Sequence, residues 1–334
     1  MPVTLKDVAE LAGVSRSAVS RSFTEGASVS EKTRTKVEKA ATELGYIPNA
    51  LASSLTTGRT KLIGLISNNF HNPLFLEIFD LFTRGLQDRG LRPLLLNITD
   101  GDDVQASVRL LTQYSVDGAI LASSTLSPEF AQAFLQSNVP VVHSFGRFAN
   151  TPSVHVVGID NRACGRMAAE TLIAREYKHI AFLGGPESAT STQDRFLGMS
   201  EVAQAYPGIK FSHSFADAYS FDAGRIEMGR LLAGGDLAEA YFCGDDVLSI
   251  GALSAVQSAD LSVPDDVGII GLNDMEMSRW ENISLTTIHQ PISQIIDSSI
   301  DLVVSMLDEP QRYPEARIFP CHIVERGTLR PLPV

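Results

Sequence analysis

The sequence predicts an all-α N-terminal head with a helix-turn-helix, followed by an α/β body of two lobes, two parallel sheets with helices on both faces. Three observations carry this reading. The 334 residues are about twice the length of one ordinary domain. The first sixty hold three short apolar stripes at helical period. From residue 61 short apolar runs alternate with amphipathic segments, the cadence of parallel sheets with helical crossovers. About ten such runs are more than one open sheet usually holds.

Composition bounds the alternatives. With 44 % hydrophobic and 20 % charged residues and 16 prolines, the chain has apolar side chains for more than one core, which excludes a largely disordered protein. No apolar run approaches the ~18 residues that cross a bilayer, and MPVTLKDVAE lacks a signal-peptide pattern. A cytoplasmic protein without a membrane partner is expected. Cys164, Cys243 and Cys321 are odd in number, far apart and set in apolar segments, which predicts buried thiols in a reducing compartment and no zinc site. The net charge is −12, but residues 1–60 hold eight basic against six acidic residues. The remaining 19 basic and 33 acidic residues leave the body at −14. Such a split suggests a front piece that meets a polyanion and an acidic body that stays off it.

Element by element, Thr4 is the expected N-cap of a helix whose face is Leu5, Val8, Ala9 and Ala12, with Gly13 ending it in a tight turn. Ser15 caps a second helix in which Ala18 and Val19 face inward and Arg16, Ser17, Ser20 and Arg21 stay outside. Ser30 caps a third, striped with Val37, Ala40, Ala41 and Leu44 and closed by Gly45. A short helix bearing Arg and Ser fits a DNA major groove, where hydroxyls and guanidinium forks reach base edges. A small helical protein-interaction module has the same periodicity, and both readings stay open on it. Tyr46-Ile47-Pro48 leads into a helical turn and a half, Asn49 to Leu55, and then a flexible Thr56-Thr57-Gly58 joint. Small residues there would let two such helices pack closely, with Leu55 as an apolar wedge for a minor groove. A plain interdomain linker is the competing reading.

The expected strands of the body are LIGLIS, LRPLLLNI, GAILAS, VPVVHSF, HVVGID, HIAFLGG, KFSHSF, AYFCGDD, VGIIGLND and LTTIHQP. Between the first two, Leu74, Ile78, Phe82 and Leu86 repeat every four residues as the stripe of a buried helix. A ligand is expected between the lobes, at the C-terminal strand ends.

VTLKDVAELAGVSRSAVSRSF, VSEKTRTKVEKAATELGYIPNALASSL and TGRTKLIGLIS resemble the DNA-binding head, hinge and first core strand of the LacI/GalR family of bacterial transcription regulators. The resemblance implies that Thr4 and Ser15 contact phosphates, that Arg16, Ser17 and Arg21 read bases, that Asn49 and Ala52 lie in the hinge contact and that Leu55 intercalates. Ser20 shares the outer face of the second helix. The resemblance runs on to Arg326 and Gly327, over a body similar to periplasmic sugar-binding proteins. It implies three passages between lobes, near Asp160–Asn161, His289–Pro291 and Pro320–Cys321. The expected limits are 1–47 for the head, 48–60 for the hinge, 61–160 plus 291–320 for one lobe and 161–290 plus 321–334 for the other.

By the same resemblance the effector touches Leu74 and Phe75, then Ala189, Ser191 and Arg195. Arg195 is the foremost candidate, since a guanidinium can fork onto hydroxyls or a carboxylate; a lobe-stabilising ion pair is the alternative. Tyr219 or Phe221 could stack on an apolar ligand face or simply belong to the core. Of Asp245 and Asp246 one can cap the following helix, leaving the other to hold a hydroxyl, and Asp246 is taken as that contact. Asn273 stands where the family commonly has Asp, and His143 to Arg147 also departs from the family at the fourth strand. Trp280, His179 and His289 read as structural groups.

The expected function is a ligand-responsive, sequence-specific DNA-binding repressor. It would bind a palindromic operator as a homodimer, with a sugar-like effector in the cleft and no cofactor. An enzyme on this body lacks its motifs: Gly184-Gly185-Pro186 is neither GxGxxG nor a P-loop, and HExxH and GxSxG are missing. A cytoplasmic solute-binding protein is the other alternative, and salt-sensitive duplex binding separates it from a regulator.

Overall fold

The computed structural model describes residues 3–24, 26–49, 54, 58–68, 70–98, 104–235, 237–309 and 312–333. The chain divides into two compact units, Met1–Lys61 and Leu62–Val334.

The first unit is built on α1 (Leu5–Ala12), α2 (Arg16–Ser22) and α3 (Glu31–Leu44). Thr4 opens α1 reciprocally: its hydroxyl accepts from the Asp7 N–H at 3.4 Å while its own N–H donates to Asp7 Oδ2 at 2.8 Å. Two amides that a first turn leaves unpartnered are thereby satisfied. Gly13 ends α1 with φ 64°, a left-handed cap that costs glycine nothing. Ser15 and Ser30 accept from the Ala18 and Thr33 amides, each at 3.2 Å, and so cap α2 and α3. Val8, Ala9, Val19, Val37, Ala40 and Ala41 close one small core. Arg34 Nη1 donates to the Ser22 carbonyl at 2.8 Å and ties α3 to the end of α2. The expected hinge helix, Ala52 and Leu55 included, lies outside the described residues save Asn49 and Ser54.

The second unit carries two six-stranded sheets. The strands are β1 (Leu62–Ser67), β2 (Arg92–Asn97), β3 (Gly118–Ala122), β4 (Val141–Ser144), β5 (His155–Gly158), β6 (His179–Gly184), β7 (Lys210–Phe215), β8 (Ala240–Cys243), β9 (Gly268–Asn273), β10 (Thr287–His289), β11 (Ala316–Ile318) and β12 (His322–Val324). One sheet has the order β11-β5-β4-β3-β1-β2 and the other β12-β10-β9-β8-β6-β7. The helices are α4 (Leu74–Asp88), α5 (Val104–Gln113), α6 (Pro128–Gln136), α7 (Asn161–Ala174), α8 (Thr190–Ala205), α9 (Phe221–Gly234), α10 (Asp246–Ser258) and α11 (Ile292–Asp308). The chain leaves the first sheet after β5, returns through α11 after β10, and passes over once more between β11 and β12.

Two details depart from the sequence reading. β11 and β12 are strands of three residues each, too short to show a period. β12 also runs antiparallel to β10, so the second sheet is not wholly parallel: the last passage meets that sheet edge head to tail.

Alternation along the strands builds three apolar layers. Ile120, Ile180, Phe182, Phe242 and Ile270 join one large core with the α4 stripe of Leu74, Ile78, Phe82 and Leu86. Their sequence neighbours face outward layers, Ala181, Leu183 and Ile269 in one lobe and Ala119 and Leu121 in the other. Helices α7 and α8 cross at backbone distance. A Cβ on Gly165 would lie 2.1 Å from the Arg195 carbonyl oxygen, and one on Gly198 2.0 Å from that of Arg162. Gly224 and Gly251 make the same reciprocal crossing of α9 with α10.

Candidate functional site

The head presents α2 by its outer face. Arg16, Ser17 and Arg21 are exposed and Ser20 half-buried, while Val19 and Ser22 are buried beneath them. The Ser15 hydroxyl, besides capping, lies 2.9 Å from Ser17 Oγ, and the Ser20 carbonyl accepts from Thr24 Oγ1 at 2.9 Å. Thr4 stands at the N-terminus of α1 as Ser15 does at that of α2, where amide dipoles favour an anion. Asn49 is exposed. Hydroxyls at two helix starts and two guanidinium groups on one exposed helix can hold phosphates and donate to base edges.

In the second unit a pocket opens between the lobes at the C-terminal strand ends. Its apolar wall is Leu74, Phe75, Ile78, Phe145, Ile159 and Tyr219, and its polar lining is Asn72, Ser124, Asn161, Arg195, Asp245, Asn273 and Gln290. The two lobes touch across it. Asn72 Nδ2 donates to Asp245 Oδ2 at 2.6 Å, Thr190 Oγ1 donates to the Ser124 carbonyl at 3.2 Å, and Arg147 pairs with Asp194. The enclosed cavity is about 30 Å³, room for about two waters at most. A ligand of monosaccharide size therefore enters only when the lobes part.

Arg195 is 4 % exposed. Its Nε donates to Asn161 Oδ1 at 2.8 Å and its Nη1 to the Gly244 carbonyl, which orients the guanidinium without neutralising it. The Tyr219 ring lies over Gly185 and Gly244, where a Cβ would come within 2.6 and 2.8 Å of ring carbons, and its hydroxyl meets Thr192 Oγ1 at 2.6 Å. Burial pushes the Asp245 carboxyl above its ordinary value, against the stabilising Leu248 amide, Asn72 and the Arg195 charge. Two lining residues, Phe145 at φ 64° and Asn273 at 125°, and Asp274 at 58° beside the latter, are among the non-glycine residues held at positive φ. Each such non-glycine position costs about 1–3 kcal/mol and is typical of ligand clamps. Burial would raise Asp274, but its bonds to Arg326 and to His289 Nδ1, the latter 3.0 Å away, hold it below the ordinary carboxylate value.

Of the residues expected to meet an effector, Leu74, Phe75, Arg195, Tyr219 and Asn273 line this pocket together. Asp246 is a correction. It is fully buried, with Oδ1 accepting from Thr287 Oγ1 at 2.5 Å and Oδ2 from the Met275 amide at 2.8 Å. Asp245 serves as both cap and cleft residue, since a cap side chain folds back over the helix start while the next residue points inward. Burial pushes the Asp246 carboxyl up to about 7. Ser191 is buried without lining the pocket, its Oγ unpartnered among the described residues. Phe221 is 40 % and Trp280 50 % exposed, so Trp280 is not the packed residue expected. Ser124, Asn161 and Gln290 were not anticipated as pocket residues, although each lies one to three residues past the end of a strand; Asp245 was weighed against Asp246, which was taken as the contact. Among the described residues no group of three metal-type side chains occurs, and no helix is long and apolar enough to cross a membrane.

Residues 4–49 match the family described as bacterial regulatory proteins, lacI family, and residues 169–329 match a periplasmic binding protein-like domain. The ribose operon repressor of Escherichia coli (strain K12) is 31 % identical over 330 residues, covering 97 % of this chain and 99 % of the relative. The crystal structure of the lac repressor dimer bound to operator and the anti-inducer ONPF superposes with a TM-score of 0.88 at 28 % identity, over 99 % of this chain and 100 % of that one. A transcriptional regulator CelR–cellobiose complex does so with a TM-score of 0.71 at 28 % identity, over 98 % and 99 %.

Proposed function

Since the chain belongs to the lacI family of bacterial regulatory proteins, we propose that it is a cytoplasmic repressor, a homodimer whose two heads read a palindromic operator with an affinity that a sugar-like effector changes. The observation that carries this is α2, a capped helix with Arg16, Ser17 and Arg21 exposed on the chain that also holds the interlobe pocket. Two-fold symmetry of the protein demands two-fold symmetry of its site. Thr4 and Ser15 hold phosphates, and Arg16, Ser17, Ser20 and Arg21 face the major groove. Asn49, Ala52 and Leu55 serve the hinge contact, with Leu55 as the wedge.

The effector lies among Phe75, Tyr219, Arg195, Asp245 and Asn273. Apolar faces with amides, a carboxylate and a guanidinium between them suit a compact polyhydroxylated ligand, whose ring has apolar faces and an equator of hydroxyls. The names of the ribose operon repressor and the cellobiose complex support that class. Lobe arrangement responds to ligand only through differential affinity. A ligand that holds the lobes apart breaks the Asn72–Asp245 and Arg147–Asp194 links and so favours one arrangement over the other.

Sequencing genomic fragments retained by the purified chain at moderate salt, beside a chain of residues 62–334, tests the reading. One palindromic site enriched only with the head is expected, with binding falling steeply as salt rises. Equal enrichment by both chains, or none at any salt with or without a panel of monosaccharides, would overturn it.

A further inference from the structure

Two of the three cysteines meet where the chain passes between lobes. Cys164 is in the first turns of α7, after the first passage, and Cys321 lies between β11 and β12, on the third. The two share the wall of a recess of about 300 Å³ with Asp160, Met167, Ile318 and Phe319. The two thiols face each other closely enough for each to perturb the other's titration. Cys164 is 1 % exposed, whereas Cys321 is half-buried and reachable through the recess. The third thiol, Cys243, is buried in the outer core of the second sheet, away from both.

We propose that Cys164 and Cys321 are a modification site, a dithiol that a hydroperoxide converts to a disulfide joining the first and third passages. Cys321 is the attacking sulfur. It is the sulfur a peroxide can reach through the recess, whereas Cys164 is buried behind it, and the nearby Arg195 charge favours its thiolate. Its thiolate attacks one peroxide oxygen, the O–O bond breaks and hydroxide leaves, giving a sulfenic acid. The Cys164 thiol loses its proton and attacks that sulfur, expelling the oxygen as water. In sum two thiols and one hydrogen peroxide give one disulfide and two waters, each sulfur surrendering one electron. A dithiol reductant reverses the step by exchange. Burial pushes Cys243 up to about 12, so it lacks the thiolate that reacts. The bond would tie the start of α7 to the segment that enters β12, both on the side of the second sheet, and it would form beside Arg195. It does not depend on which ligand occupies the cleft.

The test treats the reduced full chain with a small excess of hydrogen peroxide, blocks free thiols and maps peptides by mass. A cross-linked Cys164–Cys321 peptide is expected, with Cys243 free and reacting more than about tenfold more slowly, and full return of three thiols on adding dithiothreitol. In Cys164→Ser, dimedone should trap a sulfenic acid at Cys321. In Cys321→Ser, Cys164 should stay reduced at the same dose. Oxidation of Cys321 to the sulfinic acid in the wild-type chain with no cross-link, or Cys243 reacting as fast as Cys321, would overturn the proposal.

Discussion

Arg195 is held by two acceptors, Asn161 and the Gly244 carbonyl, and neither is a carboxylate, so its charge remains for a ligand. Arg195→Lys keeps the charge and loses the fork. Its affinity for whichever monosaccharide the wild-type chain binds should fall about tenfold or more, read by titration of Trp280 fluorescence; unchanged affinity would remove Arg195 from the site. Two buried groups set opposite pH trends. His143 is buried, and burial pushes it down to about 4 from 6.5, despite its 3.0 Å bond to the Ser123 carbonyl. Its contribution is complete above pH 6.5 and is lost as pH falls toward 4. Asp246, raised from 3.8 to about 7, contributes fully below 3.8 and loses that contribution as pH rises through 7. Between these limits each uncompensated proton changes stability by about 1.4 kcal/mol per pH unit. Asp246→Asn can still accept from the Met275 amide, and its Nδ2 can donate to Thr287 Oγ1 once that hydroxyl, the donor to Asp246 Oδ1, turns to accept. Relative to wild type it should gain stability steadily from pH 4 to 7 in urea unfolding, and a flat difference would contradict the shift. The pair Asp245-Asp246 was visible as a pair, but which one faces the cleft depends on β9 and β10 beneath it, which no local pattern encodes.

At the scale of elements, the cap of α2 has two roles that can be separated. Ser15→Ala should cost the head about 1 kcal/mol, whereas Ser15→Asp should keep the cap and its stability. If Ser15 also meets a phosphate, Ser15→Asp should nonetheless bind operator DNA far more weakly than wild type, through like-charge repulsion. Equal binding by Ser15→Asp and wild type would leave Ser15 a cap alone. The crossing of α7 and α8 admits no side chain at Gly165 or Gly198. Gly198→Ala should destabilise the body by about 1–3 kcal/mol and weaken effector binding, because it pushes away the helix that carries Arg195. Loss of stability without loss of affinity would show that Arg195 tolerates the shift. Helix starts, the α4 stripe and ten strands were legible because caps and periods are local. The reciprocal glycines were present in the sequence, but a glycine inside a helix announces close approach only once its partner is known.

For the whole molecule, basic residues on the head and acidic excess on the body predict that DNA binding belongs to the first unit. A chain of residues 62–334 should bind the same monosaccharide as the full chain and show no salt-dependent retention on duplex DNA, measured by fluorescence polarisation. Salt-dependent binding by that chain would move the interface to the body.

The sequence by itself determined the head, with its three capped helices and its exposed cationic face, and the alternating body, because capping, helical period and strand alternation act within a few residues. Through the family resemblance it also named Leu74, Phe75, Arg195, Tyr219 and Asn273, which line one pocket between the lobes. Tertiary structure decided the rest: that Asn72, Ser124, Asn161, Asp245 and Gln290 join them, that Asp246 turns inward, that β12 reverses direction, and that Cys164 meets Cys321. Each of these depends on residues distant in sequence arriving at one place. Which neighbours a strand end or a thiol receives is set by sheet order and by three passages between lobes, a property of the folded chain that no short window contains.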